Sequence, residues 1–182
     1  MKSRAFLATF IAASLHAFAE PATTPRLAQL NAIVEKEPGN AAALQDRAYA
    51  RALLGLKVEA LSDLEKAVSL APQNDKVLNR VAWAYINLGE HRRALDAWLE
   101  SARISDYARY YDYYSVAIGY WGVGEGAKAA AFYNTAVEQD ETFGEWKSLI
   151  ERTESWTWTE KEAVFRLFDA WRRGYRAQEK KP

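Results

Sequence analysis

The chain has 182 residues, with 24 basic and 24 acidic side chains, 49% hydrophobic residues and no cysteine. That length allows one ordinary domain or a short repeat array, and the missing cysteine excludes disulfides, thiolate metal sites, a cysteine nucleophile and lipid attachment through a cysteine. The balanced charge argues against the basic face or excess on which nucleic-acid binders depend.

At the N-terminus, Lys2 and Arg4 precede an apolar stretch at residues 5–15, and Ala17, Phe18 and Ala19 supply the small-x-small pattern that signal peptidase accepts. The expected element is a signal peptide at residues 1–19, cut before Glu20. The apolar stretch is too short for a spanning helix, which needs about 20 residues. Removing Lys2 and Arg4 leaves 22 basic against 24 acidic side chains, a net charge of about −2. No second hydrophobic run approaches spanning length, so the mature chain is expected to be soluble and exported, periplasmic if the source is Gram-negative, and held together by packing alone.

Residues 20–25 read as a linker and residues 26–40 as a lone capping helix, with Leu27, Leu30, Ile33 and Val34 on one face and Pro38 closing it. Three stretches then align, at residues 41–74, 75–109 and 110–143. Ala60, Ala94 and Ala129 mark the register at separations of 34 and 35, and Ala48, Ala82 and Ala117 repeat with the same spacing. Alanine at such positions predicts close helix contact, because a methyl is the largest group that fits where two helices of a hairpin meet at about 8–10 Å. Larger side chains fill the other slots: Leu44, Leu78 and Tyr113 in the first helix of each pair, and Leu64, Trp98 and Tyr133 in the second. Gly55, Gly89 and Gly124 fall between the helices, where the left-handed C-cap favours glycine, and Pro72 follows the first pair.

This pattern resembles the tetratricopeptide repeat family, whose signature combines an aromatic or leucine, small and tyrosine slots, then Ala-x-x-x-aromatic and a closing proline at a period of about 34 residues. The resemblance covers residues 41–143 and implies an all-α, right-handed α-solenoid of helix-turn-helix repeats with capping helices. Arg47 and Arg51 depart from the leucine and tyrosine slots of the first repeat, Asp106 and Glu141 replace the closing proline in the later two, and one residue is inserted near 107–109. Arg47 and Arg51 are expected to pack their stems at the junction with the capping helix and keep their heads in water.

Residues 144–177 read as a degenerate fourth hairpin, followed by a tail at 178–182. Trp146, Leu149 and Ile150 form a short face, and Val164, Leu167, Phe168 and Trp171 a longer one. Thr159 with Glu162 fits a capping box at the start of the last helix. Arg172, Arg173 and Arg176 crowd its C-terminus, where cations complement the helix dipole.

The resemblance also implies that the first helix of each repeat lines a concave groove. The groove-facing set is Gln45, Tyr49 and Leu53 in the first repeat, Asn79, Trp83, Ile86 and Asn87 in the second, and Tyr111, Tyr114, Ile118 and Trp121 in the third, with Lys76 as the main cation. Tyr113 and Tyr120 fall in core slots. Gly119 and Gly122 lie inside a helix, where each costs about 0.5–1 kcal/mol relative to alanine. Either a ligand backbone or tight packing explains them.

No constellation for catalysis is legible. His91, the single histidine after the leader, falls in an inter-helix turn and cannot by itself make a zinc site or complete a hydrolytic triad. Glu59, Asp63, Glu65, Asp96 and Glu100 have the spacing of solvated helix faces, and the glycines of residues 119–126 match no phosphate-binding pattern. The expectation is a non-enzymatic exported adaptor, without cofactor or metal, that holds a segment of another protein in an aromatic groove. Two alternatives stand beside it: a cell-wall glycan-binding module with Tyr111, Tyr114 and Trp121 stacking on sugar rings, and a structural subunit of an envelope assembly.

Overall fold

The computed structural model describes residues 20–109 and 111–179, with side chains described from 24 to 109 and from 111 to 174. The leader expected at residues 1–19 lies outside the described residues, as do Tyr110 and residues 180–182. The described residues form helices and turns and contain no strand. They fall into two compact units, one ending at Ala71 and the other beginning at Pro72.

In the first unit, α1 (Glu20–Lys36) packs on α2 (Ala41–Leu53), which pairs with α3 (Lys57–Leu70). Helix α1 begins within the stretch expected as a linker and contains Pro25. It buries Leu30 and Val34 but leaves Ile33 exposed, so its apolar face is narrower than the sequence implies. Asn40 caps α2 by accepting the Ala43 amide hydrogen at 3.0 Å, the standard role of asparagine at a helix N-terminus. Ala48 of α2 and Ala60 of α3 are fully buried, and Gly55 turns the chain between the helices at φ 73°.

The charges of this unit correct two expectations. Asp63 is only 4% exposed, not solvated. It accepts bonds from Arg47 Nε at 2.8 Å and Nη2 at 2.7 Å, and a further bond from Arg51 Nη1. The two arginines therefore turn their heads into the hairpin rather than out to water. One turn apart on α2, they converge on a carboxylate of the facing helix, and its burial is tolerable only because two forked cations satisfy its oxygens.

In the second unit, α4 (Asp75–Asn87) pairs with α5 (His91–Ile104), α6 (Asp112–Gly122) packs on α5 and pairs with α7 (Gly126–Gln139). A 3₁₀ turn (Glu141–Gly144), a short α8 (Trp146–Arg152) and a long α9 (Trp158–Glu179) follow. Ala82, Ala94, Ala117 and Ala129 are fully buried, with Trp98 and Tyr133 beside them, and Gly89 and Gly124 adopt φ 74° and 82°. His91 begins α5 rather than lying in the turn.

The missing proline and the inserted residue have one solution. After α5 the chain reverses through Asp106 and Tyr107, both left-handed at φ 52° and 53°. The reversal delivers Arg109 to a polar knot: its guanidinium donates to Asp75 Oδ2 at 2.7 Å, Asp112 Oδ1 at 2.8 Å and Ser101 Oγ at 2.9 Å. Asp112 is buried, so this arginine ties the starts of α4 and α6 to the end of α5. Such a tie offsets part of the strain of two non-glycine residues in the left-handed region.

Gly119 is explained by packing. A Cβ there would lie 3.0 Å from the backbone Cα of Leu95, and one at Gly122 would lie 2.9 Å from Nδ1 of His91. Helix α6 thus meets α5 too closely for a methyl. Gly119→Ala is expected to destabilise by about 1–3 kcal/mol through overpacking, although alanine is the better helix former. Trp98→Ala is expected to cost about 3–5 kcal/mol by emptying a core slot. Urea denaturation with linear extrapolation checks both, and a stabilised Gly119→Ala protein would contradict the contact with Leu95.

Candidate functional site

The face formed by α4 and α6 carries most of the residues expected to line a groove, and their spacing places Trp83 and Asn87 one turn apart on α4 and Tyr114, Ile118 and Trp121 along α6. The structure does not leave this face open. Residues 153–157 and α9 turn back across it, so Tyr114 is 2% exposed and Ile118 is fully buried. Ile86 is buried as well. The assignment of these three side chains to an accessible stripe is therefore corrected: they form the floor beneath the C-terminal segment.

The seat is built around Asn87. Its side-chain amide donates to Glu160 Oε1 at 2.7 Å and to the Trp83 carbonyl at 3.0 Å, and its own oxygen accepts from the Thr157 hydroxyl at 2.8 Å. Thr157 and Glu160 simultaneously cap α9: the Thr157 backbone N–H donates to Glu160 Oε2 at 2.9 Å, and the Glu160 N–H donates to Thr157 Oγ1 at 3.2 Å. This is a reciprocal capping box. It lies two residues before the Thr159 and Glu162 pair expected for it, because the sequence offers two overlapping Thr-x-x-Glu matches and only the earlier one meets an amide on α4. Glu160 is 4% exposed, so its carboxylate depends on these donors.

Aromatic contacts surround that polar pin. Trp156 meets Trp83 edge-on at 4.6 Å between ring centroids, and Trp83 meets Trp98 at 4.9 Å. Tyr114 lies 4.6 Å from Phe143, and its hydroxyl is buried with no hydrogen-bond partner among the described residues. Burial pushes the Tyr114 and Tyr133 hydroxyls up, so both stay protonated. The Tyr133 hydroxyl donates to the Phe143 carbonyl at 2.8 Å, which fixes the 3₁₀ turn against α7.

The other expected groove residues are dispersed. In the first unit Gln45 is buried, with its amide donating to Asp46 at 3.3 Å, while Tyr49 and Leu53 are half-buried. In the second unit Lys76 is exposed and Asn79 half-buried. Tyr111 is half-buried with the Arg109 guanidinium 4.9 Å over its ring. Tyr113 and Tyr120, expected in the core, are also half-buried and gather around Phe132 at 6.1 and 5.3 Å.

Two clefts lie between α4 and the C-terminal segment. The smaller, ≈ 240 Å³, is lined by Asn79, Trp83, Tyr111, Arg152 and Trp156. The larger, ≈ 540 Å³, is lined by Asn87, His91, Trp121, Glu162 and Arg166, with Ile86 and Ile118 behind them. Trp121 remains half-buried and reachable at that edge. Among the described residues no group of three or more histidine, aspartate or glutamate side chains converges as a metal site would require, and no described helix is long and apolar enough to cross a membrane. Sequence reasoning missed Trp156, Thr157, Glu160 and Arg152, although the first three stand together in "SWTWTE". Asn87→Ala, which removes the amide from a buried carboxylate, is expected to destabilise by about 1–3 kcal/mol, measured by urea denaturation; an unchanged midpoint would show that the pin contributes nothing.

No protein-family model matches the chain, and no curated protein matches it in sequence. Solved structures do. The crystal structure of MamA superposes with a TM-score of 0.55 at 17% identity, covering 85% of this chain and 90% of that one. A MamA double mutant, RS-1 ArsTM, gives 0.58 at 18% identity, covering 95% and 96%, and a further MamA crystal structure gives 0.54 at 16%, covering 86% and 85%. The chain is similar in fold to MamA, a tetratricopeptide-repeat protein, and its architecture is all-α, built from sequentially paired helices.

Proposed function

We propose that the chain is an exported protein-interaction scaffold, and that it takes a segment of another protein at the face formed by α4 and α6. The observation that carries this reading is the larger cleft, where a reachable indole, Trp121, stands beside Asn87 and His91 with an apolar floor of Ile86 and Ile118 and a charged rim of Glu162 and Arg166. An aromatic anchor beside a polar rim is the composition of an interaction hot spot. The MamA-like fold supports a scaffold role, and the leader-like residues 1–19 support export.

The glycan alternative loses support because Tyr114, one of its three stacking rings, offers no free face at 2% exposure. Co-sedimentation with purified peptidoglycan separates the two, since a scaffold for proteins stays in the supernatant.

A photo-cross-linking residue at Trp121 tests the reading in the cell of origin, with the same residue at Val58, which is exposed on α3 of the other unit, as control. A discrete protein adduct at 121 and none at 58 is expected. Once that partner is identified, Trp121→Ala is expected to weaken its binding by about 30-fold, corresponding to about 2 kcal/mol. No adduct at 121, or equal adducts at both positions, would overturn the assignment of the face.

A further inference from the structure

The C-terminal segment does more than an end cap requires. A cap need only shield the last hairpin, yet α9 reaches back past α7 to α6 and α4. It is held there by the elements that hold a helix in a protein groove. Its capping box is read by the amide of Asn87 through bonds of 2.7 and 2.8 Å. One residue ahead of the cap, Trp156 supplies an aromatic anchor against Trp83 at 4.6 Å. Val164, Leu167 and Phe168 then present one buried apolar face at i, i+3 and i+4.

The seat is nevertheless incompletely filled. Clefts of ≈ 240 and ≈ 540 Å³ persist there, and Trp158 in the first turn of α9 is 73% exposed. A helix that filled those spaces would gain contacts the resident segment lacks.

We infer that residues 153–179 are a tethered self-ligand, and that they compete with the partner for the α4 and α6 face. The competing segment has the same chemistry: an amphipathic helix of another protein, opened by an aromatic residue and a Thr-x-x-Glu or Ser-x-x-Glu box. This rests on the reading that the face takes a partner. Self-occupation lowers the partner's apparent affinity in proportion to the fraction of molecules whose segment is undocked, so the segment sets a threshold on binding.

The test uses a fluorescent peptide of residues 153–179 as probe, so that it fails or succeeds independently of any cellular partner. Anisotropy titrations compare the full chain with the full chain carrying Trp156→Ala and Glu160→Ala, changes confined to the resident segment. The doubly substituted chain is expected to bind the peptide at least about tenfold more tightly than the parent. Adding Asn87→Asp to it removes the gain by setting one carboxylate against another, and a peptide carrying Glu160→Gln restores binding to that triple variant. Circular dichroism establishes that the variants are folded.

A second protein covers the case in which they are not. Leu88→Cys and Ala163→Cys, both at the larger cleft of a chain that has no cysteine of its own, are joined by a short bis-maleimide to hold the segment down. The bridged chain is expected to bind at least tenfold less peptide than its unbridged form. Equal binding by the bridged and unbridged chains, or a folded double variant that binds no more tightly than the parent, overturns the inference.

Discussion

The distance between paired helices is the constraint on which the rest of the structure depends. In each of the three repeat hairpins, one alanine on each helix has no exposed surface: Ala48 and Ala60, Ala82 and Ala94, Ala117 and Ala129. A methyl at these positions lets two backbones approach to the short end of the helix-packing range, while any larger side chain would force them apart. Close approach leaves room for the large residues above and below, so Leu64, Trp98 and Tyr133 pack at full burial. Between α5 and α6 the same demand is carried further, and even the methyl disappears at Gly119, against the Leu95 backbone.

With spacing set by small residues, orientation is set by buried charge. Asp63 gathers two arginines of the facing helix, and Arg109 gathers two aspartates and the Ser101 hydroxyl. Both sites take cation and anion out of water together, an exchange in which stability gains little but misalignment is heavily penalised. Each occurs where the chain departs from the repeat pattern, at Arg47 and Arg51 in one unit and at the inserted residue in the other. In each case a directional polar contact does what apolar packing does in the other slots.

The periodic part of this fold was legible because it rests on local rules: alanines at a fixed interval, glycines in left-handed turns, large residues in alternate slots. Asn40 and Asn74 carry the same interval and cap α2 and α4. The site was less legible because it depends on contacts across long separations. Nothing near Asn87 announces that Thr157 and Glu160 will meet it, and Tyr114 and Ile118 read as groove residues until a segment some forty residues later covers them. Periodicity gives the face of a helix on which a side chain lies, and only the tertiary path of the chain decides whether solvent reaches that face. The overlapping Thr-x-x-Glu matches show the same limit at close range, since helix propensity does not separate them and the Asn87 amide does.

Trp98, Trp83 and Trp156 stand in a row, with successive centroids 4.9 and 4.6 Å apart and the rings strongly inclined. Ring transitions at such spacing couple, to an extent set by the mutual orientation of the rings. Only the last member of the row belongs to the C-terminal segment. Lifting that segment would end its share of the coupling and alter the near-ultraviolet dichroism of the protein, which therefore carries its own optical gauge of how this face is occupied.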